Sequence, residues 1–146
     1  LVLDADQKGV DARWRQILGR LKEYSYKFPP KPSETGSIID SYDDKPRIGI
    51  WLMPNNQDAG MLEDFLIQLV PEDKIQVARD AVEMAISKKV HGFKDVHRSK
   101  ADIHTYLAWQ DEPGSPLGQA ITAYSLDPKQ EIAQEFVAWL KRLFQE

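Results

Sequence analysis

The alternation of apolar and polar positions divides the chain into short elements of two kinds. Leu1-Val2-Leu3 is an unbroken apolar run that gives way to Asp4 and Asp6, so residues 1–5 are expected to form a short buried strand. Val10, Trp14, Ile17, Leu18 and Leu21 then recur at helical spacing with Arg and Lys on the other face, which predicts an amphipathic helix. Pro29, Pro30 and Pro32 remove backbone donors and fix φ, so KFPPKPS reads as a loop. Ser37 to Tyr42 and Arg47 to Met53 are β-rich runs on either side of Asp43-Asp44-Lys45-Pro46, as in a hairpin or two neighbouring strands. The second run, IGIWLMP, is apolar throughout and is expected at the centre of the sheet.

From there the pattern turns helical. Met61, Leu62, Phe65, Leu66 and Leu69 share one face of a helix that Pro71 ends, and Ile75, Ala78, Val82, Ala85 and Ile86 mark the next. Ser99, with Asp102 three residues on, has the form of a cap opening ADIHTYLAWQ. Ser115 and Pro116, after the loop DEPGSP, are expected to open a further short helix. Asp127-Pro128-Lys129-Gln130 should cap the last helix, which is expected to bury Ile132, Ala133, Phe136, Val137, Leu140 and Leu143. The expectation is a single α/β domain over residues 1–146, a sheet with flanking helices and a helix-rich C-terminal half. Because Leu1 already lies inside an apolar run, we also expect a fragment whose first strand or strands are missing.

Composition narrows the functional classes. The 146 residues contain no Cys, which excludes disulfides, thiolate metal sites and a Cys nucleophile, and fits a cytoplasmic protein. No apolar run is long enough to span a membrane, and no basic region leads into an apolar one as in a signal peptide. The net charge of −4 argues against holding nucleic acid by bulk electrostatics. Bound cations or a local basic patch would be needed to bring a phosphate to the carboxylates.

Leu3-Asp4-Ala5-Asp6 is the sharpest chemical signal. At the C-terminal end of a strand the chain is turning, so two Asp one residue apart can converge on one hard cation. Ligands of open α/β sheets also bind beyond the carboxyl ends of the strands. Capping of the following helix, or solvation of a turn, is the plainer use of the same two acids. No G-x-x-x-x-G-K-[ST] loop, G-x-G-x-x-G fingerprint or G-x-S-x-G elbow is present.

The run LVLDADQKGVDARWRQIL resembles the aspartate motif of Toprim domains, an acidic D-x-D at a strand end followed by a helix. RIGIWLMPNNQDAGMLEDFL, HRSKADIHTYLAWQDEPGSPLGQAI and FVAWLKRLF extend the likeness over nearly the whole chain, to an uncharacterised bacterial Toprim-like family related to the Toprim domain of OLD-type nucleases. The resemblance implies a Toprim-like sheet and Mg²⁺- or Mn²⁺-dependent phosphodiester chemistry on nucleic acid, DNA more than RNA, with Asp4 and Asp6 as metal ligands. By position Glu63 would be the later acid, as ligand or catalytic group, and Lys100 the lysine that stabilises charge on the phosphate. The glutamate that Toprim domains carry on an upstream strand has no match. An acid often stands in that family where Asn55 stands here, and an amide would still coordinate through oxygen. A partner ATPase and a homo-oligomer are further expectations by analogy.

The remaining polar residues have ordinary readings beside these. Glu63 and Asp64 suit the first turn of a helix through its dipole, and PNNQDAG suits a turn. His104 is expected to hydrogen-bond in a half-buried helix, while His91 and His97 are too few companions for a zinc site. Most Trp residues fall at core-facing positions, which speaks against base stacking. Two other functions share parts of the pattern. One is a non-catalytic Toprim-like binding or regulatory domain. The other is a haloacid-dehalogenase-like phosphatase with Asp4 as nucleophile, although Gln7 and Lys8 replace the residues usual after its D-x-D.

Overall fold

The computed structural model describes residues 1–24, 26–40, 43–114 and 116–145. Ser41 and Tyr42, the end of one expected strand, and Ser115, the expected start of a short helix, lie outside them. The fold is mixed α/β, and its contacts fall into two compact units: Leu1–Leu62 with Glu131–Glu146, and Glu63–Gln130. Among the described residues no helix is long and apolar enough to cross a membrane.

The first unit is organised by the apolar run IGIWLM, strand β3 (Ile48–Met53). Strand β1 (Val2–Asp4) pairs with it in parallel and β2 (Ser37–Ile39) antiparallel, so the sheet order is β1-β3-β2 and β3 is central, as its composition predicts. The register sets Val2 against Trp51 and Asp4 against Met53. Successive side chains of β3 point to opposite faces. Ile50 and Leu52 join Ala5, Ile39 and the inner face of helix α1 (Val10–Leu21), namely Val10, Trp14 and Ile17, in one core. The Trp14 indole meets Phe28 edge to face at 6.3 Å and donates to the Pro29 carbonyl, which fastens the proline loop to that core.

Trp51 packs with Phe136 and Trp139 of the last helix, α5 (Glu131–Phe144), at ring separations of 5.2 and 5.6 Å. The Trp139 indole donates to the Ser37 carbonyl at 3.2 Å and so ties α5 to β2. This changes the expected inner face of α5. Trp139 is fully buried, whereas Val137, expected inside, is 40% exposed on the helix flank. Trp139 fits because Gly36 and Gly49 leave room for it: a Cβ on Gly36 would lie 2.3 Å from Trp139 Cδ1.

The second unit is helical. Helix α2 spans Leu62–Ile67, and from Gln68 to Val70 each N–H bonds three residues back, a tightening that leads to Pro71. Helix α3 (Glu72–Ser87) buries Ile75, Ala78 and Val82 and packs against α4 (Arg98–Leu107), which buries Ile103, Tyr106 and Leu107. The expected cap at Ser99 is not formed. A 3₁₀ turn at Asp95–His97 runs straight into α4, so the helix starts at Arg98 and Ser99 lies within its first turn. Asp102 pairs instead with Arg98 at 2.9 Å, one helical turn away. His104, expected to hydrogen-bond in a half-buried helix, is exposed, because it faces away from the side of α4 that Ile103 and Tyr106 bury.

Candidate functional site

Strand β1 ends where its apolar run ends, and this puts Asp4 at the carboxyl end of the parallel β1–β3 pair. The Asp4 carboxylate accepts the N–H of Leu62 at 2.9 Å. Asp6 sits two residues past the strand in the left-handed region, φ 57°, which Asp tolerates better than most residues. A two-way bridge to Gly60 fixes that turn, since the Asp6 N–H donates to the Gly60 carbonyl at 2.8 Å and the Gly60 N–H returns the bond at 3.3 Å. The Asp6 carboxylate is 53% exposed and pairs with Arg13 of α1. Arg13 Nε also donates to the Asp4 carbonyl at 2.7 Å, so one guanidinium spans both members of the D-x-D.

Carboxylate and carbonyl oxygens, the donor types that Asp4 and Asp6 offer, are the kind that Mg²⁺ and Mn²⁺ accept. The half-exposed Asp6 carboxylate is open to solvent, and these residues therefore fit a hard divalent ion. Among the described residues no cluster of three or more His, Asp or Glu has metal-binding geometry.

Glu63 and Lys100 belong to the other unit, where the structure brings them together. Glu63, buried in the first turn of α2, lies 3.1 Å from the Lys100 ammonium in the first turn of α4. Next to this pair the Ser99 hydroxyl donates to Asp64. Arg98 gathers a second group, reaching buried Asp102, Glu83 at 2.9 Å and the Arg79 carbonyl. The hydrogen bond to Asp102, then that to Glu83, holds the Arg98 pKa above its ordinary value.

Asn55 is used by its own turn. Its carbonyl oxygen accepts the N–H groups of Gln57 and Asp58, and its amide donates to the Asp58 carboxylate. Asn56 is the buried member of the segment, accepting the Leu52 N–H at 2.8 Å. Sequence reasoning passed over Arg13, which looks like one more cation on the polar face of α1. The Arg98–Asp102 pair had a readable signal in its spacing of four. No curated protein and no solved structure matches the chain. A family model described as a protein of unknown function (DUF3226) matches residues 1–145, and the chain belongs to that family.

Proposed function

We propose that this chain carries out Mg²⁺- or Mn²⁺-dependent phosphodiester chemistry on nucleic acid, as a Toprim-like domain related to OLD-type nucleases. The observation that carries the reading is the placement of Asp4 and Asp6 at the carboxyl end of a parallel strand pair, with their turn fixed by Gly60. Crevices beyond the carboxyl ends of such strands are where α/β sheets take ligands. Asp4 and Asp6 would hold the cation through carboxylate oxygens, and the bound cation would polarise the phosphate and activate a water for attack. Glu63 and Lys100 enter the proposal as the later acid and the phosphate-stabilising lysine; within their own unit each now neutralises the other. A partner ATPase is part of the same proposal.

The test is cleavage of plasmid and single-stranded DNA by the protein with Mg²⁺ or Mn²⁺, beside an Asp4→Asn, Asp6→Asn double variant. Metal-dependent cutting that the double variant loses is the expected result. Absence of cutting, alone and with the partner ATPase, would overturn the catalytic reading. A second reading, a non-catalytic binding or regulatory domain, draws on one observation. Both acids already have structural partners, Asp4 in the Leu62 N–H and Asp6 in Arg13.

A further inference from the structure

We infer that Arg13 is the positioning residue of the D-x-D turn, the group that sets how Asp6 meets a cation. The inference rests on the cation reading proposed above. Each nitrogen of the Arg13 guanidinium has its own acceptor. Nε donates to the Asp4 carbonyl at 2.7 Å, one Nη to the Asp6 carboxylate, and the other Nη to Gln16 Oε1 at 3.1 Å. The Gly60 bridge fixes the backbone of Asp6 but leaves its side-chain torsions open. Arg13 closes that freedom, because a planar fork holds two acceptors at a set spacing and orientation.

With Oδ2 engaged by Arg13, the other carboxylate oxygen of Asp6 would be the one to hold a cation. Carboxylates that ligate metals are commonly oriented in this way by a donor outside the coordination sphere. Arg13 is also well placed to hold its pose. Its side chain is only 26% exposed, so its contacts compete with less water than those of an open surface arginine. A lysine here would keep the charge, but a single ammonium has no fork with which to reproduce the spacing between the Asp4 carbonyl and the Asp6 carboxylate.

The experiment is a Mn²⁺ titration of the full chain followed by electron paramagnetic resonance, for wild type, Asp4→Asn/Asp6→Asn, Arg13→Gln, Arg13→Lys and Gln16→Ala. Metal-free thermal unfolding is recorded beside it. Both Arg13 variants should bind Mn²⁺ about 10- to 100-fold more weakly than wild type, as for loss of an orienting partner. Gln16→Ala, which removes only the outermost contact, should bind as wild type does. A purely structural role would lower the melting temperature without changing the Kd of the folded protein. Arg13→Lys, which keeps the charge and the stem, supplies the answer if Arg13→Gln does not fold. Unchanged or tighter Mn²⁺ binding in the folded Arg13 variants would overturn this role for Arg13 and leave the cation reading standing. Equal, negligible binding by wild type and the Asp double variant would overturn the cation reading itself, and the inference with it.

Discussion

Glu63 Oε1 and Lys100 Nζ stand 3.1 Å apart, and the two ends of that pair live in different surroundings. The Glu63 side chain is 9% exposed, while that of Lys100 is half in water. Removing the lysine strands a buried carboxylate, whereas neutralising the glutamate frees an ammonium that water already reaches. Lys100→Met is therefore expected to cost about 1–2 kcal/mol, discounted for the exposed partner, and Glu63→Gln clearly less. In the Glu63→Gln, Lys100→Met double variant most of the loss should be recovered. Urea unfolding of the three variants checks the order. Equal losses for the two single variants would contradict it.

Gly36 and Gly19 should respond in opposite directions to the same substitution. At Gly36, φ is +85° and an added Cβ would come within 2.3 Å of the Trp139 ring, so Gly36→Ala should cost about 2–4 kcal/mol. At Gly19, within α1, nothing lies within 4 Å of the new methyl group. Gly19→Ala should stabilise the protein by about 0.5–1 kcal/mol through helix propensity. Melting temperatures of the two variants against wild type provide the comparison.

Tyr106 gives the protein an alkaline limit. Burial raises its phenol pKa above the ordinary value of 10.0, and its hydroxyl donates to the Ser125 carbonyl at 2.9 Å. In the unfolded chain the phenol ionises at its ordinary pKa, but in the folded chain it stays neutral to higher pH. The associated stability is fully present below about pH 10 and is lost as pH rises toward and through the folded pKa. Tyr106→Phe should flatten this part of the alkaline slope. It should also cost about 0.5–1.5 kcal/mol at neutral pH for the missing hydrogen bond. Unfolding free energies from roughly pH 8 to 11 test both effects.

The proposed cation site predicts linkage between metal and stability. With Mn²⁺ at 100 times its Kd, binding to the folded state alone adds about 2.7 kcal/mol, and a chelator removes it. The Asp4→Asn, Asp6→Asn variant should show no such gain. Calorimetry with and without chelator measures it, and a Mn²⁺ shift of equal size in both proteins would place the ion elsewhere.

What could be read in advance was whatever the chain writes locally. The central place of β3 follows from an apolar run with no polar face, and α1 from the spacing of Val10, Trp14 and Ile17. Asp4 and Asp6 stood out because they end an apolar strand. The partners of these residues were hidden, since tertiary contacts choose them. Arg13 reaches the D-x-D across a turn that the Asp6–Gly60 bridge also holds, and no local pattern marks that bridge. Ser99 had the form of a cap and was displaced by a 3₁₀ turn that began earlier. Lys100, expected to stabilise charge on a phosphate, is set by α4 beside Glu63. The inner face of α5 was misjudged at Val137 because the preference of Trp139 for the space beside Gly36 and Gly49 fixes the helix rotation.

The division of the chain has a consequence for how it is made. The sheet of the first unit is synthesised early, yet the face holding Trp51 is covered by Phe136 and Trp139, which leave the ribosome late. Residues 63–130 belong to a unit of their own and emerge before α5 does. During translation the early strands must therefore wait, with an indole and its apolar neighbours uncovered, while the later helices can already assemble. Of the two units, the one whose strands are made first is the one completed last.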